Sequence, residues 1–239
     1  MKKVFRLLTV LFGLSMVFFG TYYKETQKVL VVGELMAFEV EEAEDIEQDA
    51  DYVKTSLQEL GIVTYINPQT NQFAALGHSL TNNKDGKDIN GLCYEVEFEN
   101  NKSVNNIYFN EEKPVGTVYY DNYSGIYGQI DNVAKNKYTE VETMNRYNIK
   151  KGKANILINL EGEKLESFEV EIVAINYFDS NKNIRIKITD ERLINKTGGI
   201  VQGMSGTPVM QDGKLIGAIN CVNAKDSLDA FAIFIDKLI

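Results

Sequence analysis

Histidine, cysteine and proline are nearly missing from this chain of 239 residues, which holds one histidine (His78), two cysteines (Cys93 and Cys221) and three prolines. A zinc site draws three or four ligands from His, Cys and carboxylates at short spacings, and no such grouping is present. Haem attachment and iron–sulfur ligation fail for the same shortage, so no metal or cofactor is expected. The two cysteines either pair outside the cytoplasm or stay as separate thiols. The few prolines leave no proline-rich linker, and no internal repeat is visible. Basic residues are also in deficit, 25 against 34 acidic, for a net charge of −9. Nucleic acid needs a clustered positive surface and is excluded as a partner. Eight of the acidic residues fall in Glu39–Asp51 (EVEEAEDIEQDAD) with no basic one among them. That segment reads as a solvated spacer, a basic partner or cation being the alternative, and the rest of the chain is nearly neutral.

What is present is ordinary globular material: 44% hydrophobic, 10% aromatic and 25% charged. Disorder throughout and a pure coiled coil are excluded. The length suits one domain of about 150–200 residues plus something short. The amino terminus supplies the short piece. Lys2, Lys3 and Arg6 precede an uncharged, mostly apolar run from Leu7 to Tyr23, and Lys24 ends it. The run has 17 residues, the short end of what spans a bilayer, and Tyr22 and Tyr23 sit where an interfacial aromatic belt would. A cleaved signal peptide wants a small-x-small site, which Phe18-Phe19-Gly20 does not offer. We therefore expect residues 1–24 to be an uncleaved transmembrane signal anchor that places the remainder outside the cytoplasm, single-pass in the cell membrane.

Beyond it, residues 25–51 read as a short strand (Val29–Val32) and the acidic spacer, and residues 52–239 as one β-rich domain. Strand candidates are Gly61–Ile66, Phe73–Leu76, Tyr94–Phe98, Gly116–Tyr120, Ala154–Leu160, Phe168–Asn176, Ile184–Ile188, Pro208–Met210, Leu215–Ile219 and Phe231–Ile235. Asn67-Pro-Gln-Thr-Asn71 and Asp212-Gly213 are turn signals between them, and Glu161–Glu166 looks like a hairpin connection. No segment past residue 60 carries a long helical period. Many short strands with turns between them indicate an all-β barrel or sandwich.

Two segments carry chemistry. In Ala75-Leu-Gly-His78-Ser-Leu80 the one histidine follows a glycine at the end of an apolar strand. In Gly198-Gly-Ile-Val-Gln-Gly203-Met-Ser205-Gly-Thr-Pro208 glycines flank a serine, so the backbone can turn tightly and present the hydroxyl. Acyl transfer needs this pattern, because a serine hydroxyl attacks only when a histidine takes its proton. The oxyanion then needs preorganised donors, worth about 3–4 kcal/mol each, and the N–H groups of Gly203 and Ser205 can converge on one point. If Ser205 uses a histidine, His78 is the only candidate. A carboxylate should orient the imidazole. Asp190 lies on the serine's side; Asp85, Asp88 and Asp121 are physical alternatives, of which Asp85-Gly86 and Asp121-Asn122 also look like turn residues.

The segments Phe73-Ala-Ala-Leu-Gly-His78 and Thr197-Gly-Gly-Ile-Val-Gln-Gly-Met-Ser205-Gly-Thr-Pro208 resemble those of the SpoIVB family of sporulation serine peptidases. Gly61-Ile-Val-Thr-Tyr-Ile-Asn-Pro-Gln-Thr70 is similar to the lead-in of that family, and Asp212-Gly-Lys-Leu-Ile-Gly-Ala218 to its last hairpin. The resemblance implies a chymotrypsin-like double β-barrel over about residues 55–239. It implies Ser205 as nucleophile, His78 as base and then acid, and Asp190, fifteen residues before the serine, as the orienting carboxylate. It also implies a membrane-anchored, extracytoplasmic endopeptidase that cleaves a regulatory membrane protein in a sporulation pathway, in the space between mother cell and forespore. Full members carry a PDZ domain between anchor and peptidase. Here about 30 residues separate the two, so this chain is expected to be a short form without it. A catalytically inactive binding protein of the same fold is the alternative, and a purely structural envelope protein explains neither glycine-rich motif. Residues near 195–203 and 217–223 would line the substrate pocket, and they are mostly small or amide-bearing, which suggests no charged specificity determinant.

Overall fold

Alternating side chains dictate the architecture. In Ile184-Arg-Ile-Lys-Ile188 the isoleucines are buried and Arg185 and Lys187 exposed, the period of two that a strand with one face on a core must have. The computed structural model describes residues 26–43, 54–82, 85–98, 107–160 and 164–239. Through them run β1 (Lys28–Ala43), β2 (Lys54–Ile66), β3 (Gln72–Ala75), β4 (Lys87–Phe98), β5 (Ile107–Phe109), β6 (Gly116–Asn122), β7 (Gly125–Ile130), β8 (Thr139–Glu142), β9 (Gly152–Ile158), β10 (Glu166–Ile175), β11 (Ile184–Ile188), helix α1 (Glu191–Thr197), β12 (Pro208–Gln211), β13 (Lys214–Asn223) and β14 (Asp226–Phe234).

The first barrel closes in the order β1-β2-β3-β7-β6-β4, with β4 returning to β1 where Gly91–Glu95 pairs with Met36–Val40. β5 extends it beside β4, and β8 beside the start of β1. The second barrel closes as β9-β10-β11-β14-β13-β12. Every pairing between these strands is antiparallel, and closure removes the exposed edges that would otherwise recruit foreign strands. This is the chymotrypsin-like double barrel. Phe38, Val63, Phe73 and Ile126 fill the first barrel, and Ile156, Phe168, Ile186 and Phe234 the second.

The sequence reading set the first strand at Val29–Val32 and the domain boundary near residue 52. The strand in fact continues to Ala43, so the barrel begins at Lys28 and the start of the acidic segment is strand rather than spacer. The reason is the alternation of buried Phe38 and Val40 with Glu39 and Glu41 on the outer face. There Tyr94 donates to Glu39 at 3.0 Å and Asn90 to Glu41 at 3.3 Å. Gly33 is the hinge of this long strand. Its φ is +65°, the pairing with β2 slips between Val31 and Glu34, and a Cβ there would sit 2.7 Å from the Leu157 carbonyl oxygen. The bulge lets one strand serve three cores: Leu30 and Phe38 in the first barrel, Leu35 in the second, Val29 and Val31 between them. The expected anchor (1–24) and residues 44–51 lie outside the described residues. Among those described, no helix is long and apolar enough to cross a membrane. Both cysteines are free thiols, Cys93 buried in the first barrel and Cys221 on β13 of the second.

Tyr65, Ala74, Met210, Leu215, Ala218 and Ile233 form a dry seam between the barrels, and the Tyr65 hydroxyl donates to the Leu238 carbonyl at 2.9 Å. Nearer the cleft, the Ile62 N–H donates to the Ser205 carbonyl at 2.7 Å and the buried Thr64 hydroxyl to the Gly206 carbonyl at 2.7 Å. Thr64→Val keeps the shape of the side chain but orphans the Gly206 carbonyl. We expect it to lower unfolding stability by about 1–3 kcal/mol in a chemical-denaturation measurement, and Thr64→Ser to restore most of the loss. Equal stability in all three proteins would remove this bond as an inter-barrel clasp.

Candidate active site

The histidine arm begins where β3 ends. Leu76 and Gly77 both adopt φ of +69°, a conformation costly for a branched side chain. Leu76 is held there because it is wholly buried, its N–H donates to the Ile62 carbonyl at 3.3 Å, and Gly61 leaves it room. A Cβ on Gly61 would lie 1.9 Å from Leu76 Cδ2. The turn delivers His78 half-buried, with Nδ1 at 3.1 Å from the Ser79 carbonyl and Nε2 at 3.5 Å from Glu59 Oε1. The following residues are tied to Asp121, which is fully buried at the end of β6. Its carboxylate accepts from Ser79 Oγ at 2.7 Å, from the N–H groups of Leu80 and Thr81 at 3.1 and 2.9 Å, and from the Thr81 hydroxyl.

The serine arm starts at the end of α1. Gly198 closes the helix in the left-handed region and Gly199 passes so near Ser227 that a Cβ would meet its carbonyl oxygen at 2.4 Å. Gly203 and Gly206 follow with φ of +89° and +91°. A Cβ at Gly206 would stand 2.0 Å from the Ile62 oxygen and 2.6 Å from the Leu76 nitrogen, so the serine turn and the histidine turn touch across β2. Within the serine turn the N–H of Met204 donates to Val201, that of Gly206 to Ile219 and that of Thr207 to Met204. Those of Gly203 and Ser205 have no acceptor among the described residues, and both flank the half-buried Ser205 side chain. The Ser205 hydroxyl likewise makes no hydrogen bond among the described residues.

The three residues expected to act together are not all assembled. His78 and Ser205 stand on touching turns, but Asp190 does not reach His78. It is the N-cap of α1, accepting from the Arg192 N–H at 2.9 Å and from the Glu169 N–H at 3.1 Å, and it is bidentate with the Arg192 guanidinium at 3.0 and 2.7 Å. The Arg192 guanidinium, with these two N–H donors, holds its carboxyl down at about 2. The carboxylate nearest the imidazole is Glu59 on β2, which no motif marks. Burial is the largest influence on Glu59 and raises its pKa; His78 opposes the shift and Asp121 adds to it. Asn220 was also not singled out for chemistry. It donates to the Asn181 carbonyl at 2.7 Å, packs 3.3 Å from where a Gly77 Cβ would be, and keeps a buried Oδ1 with no partner among the described residues.

The sequence profile described as SpoIVB peptidase S55 matches residues 50–239. No curated protein matches the chain. Among solved structures it is similar to the Rv3671c protease from M. tuberculosis in its active form, with 13% identity, 83% of this chain and 75% of that one covered, and a TM-score of 0.42. It is also similar to an inactive form of that protein carrying a serine-to-alanine change, with 11% identity, 84% of each chain covered and a TM-score of 0.39.

Two expectations test these assignments of carboxylates. Asp190→Ala should cost about 0.5–2 kcal/mol of stability, as loss of an N-cap does. Because its folded pKa is depressed, that contribution is full above the ordinary value of 3.8 and fades as pH falls toward about 2. Its folded form should react at Ser205 nearly as wild type does, whereas a loss of about 10⁴-fold would make it the orienting carboxylate after all. Glu59 has the opposite sign. Its raised pKa contributes stability at low pH that is lost as pH rises through the folded value, so Glu59→Gln should melt higher than wild type at pH 8 and lose that advantage by pH 4. A constant difference across the range would contradict the burial argument.

Proposed function

The chain belongs to the SpoIVB peptidase S55 family and is a serine peptidase, and from this premise we propose that it is a membrane-anchored, extracytoplasmic endopeptidase in which Ser205 is the nucleophile and His78 its base. The observation that carries the residue roles is the pattern of N–H groups in the serine turn. Three of the five between Gly203 and Thr207 are engaged by carbonyls, and the two left over, on Gly203 and Ser205, are those an oxyanion beside Ser205 needs.

The chemistry runs on side chains and backbone alone. Donation from Nδ1–H to the Ser79 carbonyl sets the tautomer that leaves Nε2 free to accept a proton. In the resting protein Nε2 faces Glu59, and substrate binding draws it to the Ser205 hydroxyl. Nε2 takes the hydroxyl proton as Oγ adds to the scissile carbonyl, and the Gly203 and Ser205 N–H groups receive the oxyanion. The imidazolium then gives its proton to the leaving amine, and water repeats the sequence on the acyl-enzyme. Asp121 acts at one remove by fixing residues 79–81, and Asp190 serves the helix. The apolar run Leu7–Tyr23 behind three basic residues supports the anchor, and the family supports a regulatory, membrane-associated protein substrate in sporulation.

The test uses the full chain in membranes with a fluorophosphonate probe. Wild type should label at one residue, Ser205→Ala not at all, and His78→Ala slower by about 10³–10⁴-fold or more. A folded wild type that never labels would overturn the assignment of Ser205. A His78→Ala variant that labels at the wild-type rate would remove His78 as the base.

A further inference from the structure

The hairpin joining β10 to β11 presents Phe178 with 98% of its surface exposed. A bare phenylalanine on a mobile tip would mean little, but this tip is fixed from several directions. Asp179 accepts from the N–H groups of Asn181 and Lys182, and the Asn183 amide donates to the carbonyls of Asn176 and Asp179. Lys237 donates to the carbonyls of Asp179 and Ser180 at 2.8 and 2.6 Å. The aromatic ring is therefore held out in water by a preorganised loop.

Phe178 is not alone. Tyr177 beside it stacks on Tyr147, with ring centres 5.4 Å apart, and Tyr147 is 60% exposed. Tyr147 belongs to the short turn at Arg146–Asn148 that Asn145 caps. This turn sits where the chain enters the fold. The Gln27 N–H donates to Thr143 Oγ1 at 2.9 Å and the Thr143 N–H to the Gln27 carbonyl at 2.8 Å. Thr26 and Gln27 share a small cavity with Asn145 and Asp236, and Asp236 is bidentate with Arg146. Only Lys24 and Glu25 separate Thr26 from the apolar run that ends at Tyr23. Three extended Cα steps reach about 11 Å, so a bilayer entered at Tyr23 must lie within that distance of this face.

We propose that the Tyr147–Tyr177–Phe178 face rests on the membrane surface, with Phe178 inserted at the level of the headgroups and the barrels held at a fixed tilt. The inference rests on the anchor reading given above and adds to it a second, folded point of contact. Aromatic rings suit that depth, since they offer an apolar body where water is thinning. Exposed Lys150 and Lys151, just past the turn, and Lys182 on the hairpin suit anionic phospholipid. The acids of the face are already engaged, Asp179 by backbone N–H groups and Asp236 by Arg146. The same hairpin reaches the cleft, because the Asn181 carbonyl holds Asn220 next to the histidine turn. The face thus sets the height of the active site above the lipid, which favours substrate bonds close to the bilayer.

The chain has no tryptophan, so Phe178→Trp creates a single indole reporter. Leu92→Trp is the matched control. Leu92 pairs with Glu39, eleven residues along β1 from Lys28, on the order of 30 Å away at about 3.3 Å per residue. Each full-length variant would be reconstituted into phosphatidylcholine–phosphatidylglycerol vesicles containing lipid brominated near the headgroup, and floated after an alkaline wash. The expected result is flotation of both, with strong quenching of the indole at position 178 and little at position 92. Flotation with equal, weak quenching would overturn the docked face and leave the anchor standing. Weak lipid quenching together with shielding from iodide at position 178 would mean a protein covers the face, and would also overturn it. Failure to float would overturn the anchor and this inference with it.

Discussion

Everything at the cleft depends on two hydrogen bonds that cross between the barrels, Ile62 N–H to the Ser205 carbonyl and Thr64 hydroxyl to the Gly206 carbonyl. They fasten the serine turn of the second barrel onto β2 of the first, which also supports the histidine turn through the Leu76 N–H. Such close approach excludes side chains. Gly206 has no space for a Cβ against Ile62 and Leu76, and Gly61 none against Leu76. The left-handed backbone of Leu76 persists because this surrounding structure over-determines it. A clasp of this kind fixes the serine and the histidine relative to one strand rather than to two mobile loops.

Much of this was legible in the amino-acid sequence, and the reasons are local. The isoleucine–cation alternation of Ile184–Ile188 can only be a half-buried strand, and the glycines around Ser205 mark a backbone that must turn left-handed. A solitary histidine after Leu-Gly leaves a histidine base, if Ser205 uses one, no other location. What escaped notice has physical causes too. β7 (Gly125–Ile130) contains two glycines, and its Gly128 is required by the Thr117 carbonyl and the ring of Phe73 rather than by any strand propensity. β5 and β8 are three and four residues long and are made by pairing with their neighbours. The strand character of Glu39–Ala43 was hidden by its charge, which alternation with Phe38 and Val40 overrides.

Carboxylates were the least legible part of the site, because their roles are set by who else reaches them. Asp190, Asp121 and Glu59 have similar chemistry and three different fates. Asp190 is taken by a guanidinium two residues away, a contact that a helix cap followed by arginine makes nearly automatic. Asp121 is satisfied by four donors from the residues just after His78, so it shapes the loop and leaves the imidazole to the Ser79 carbonyl. Glu59 stands within a strand and belongs to no turn or glycine-rich motif, and only the folding of β3 against β2 brings the histidine to it.

The long first strand has a consequence in time. β1 needs β4 at residues 91–95, and β3 needs β7 at residues 125–130, before the first barrel is closed. β14 at residues 226–234 is needed to close the second, and the Leu238 carbonyl to satisfy Tyr65. Contacts so distant along the chain form late and slowly. While the chain is still being synthesised, the segment bearing Ser205 can be present without a completed cleft. The cleft is therefore incomplete on a growing chain until residues near 238 arrive and lock the two halves together.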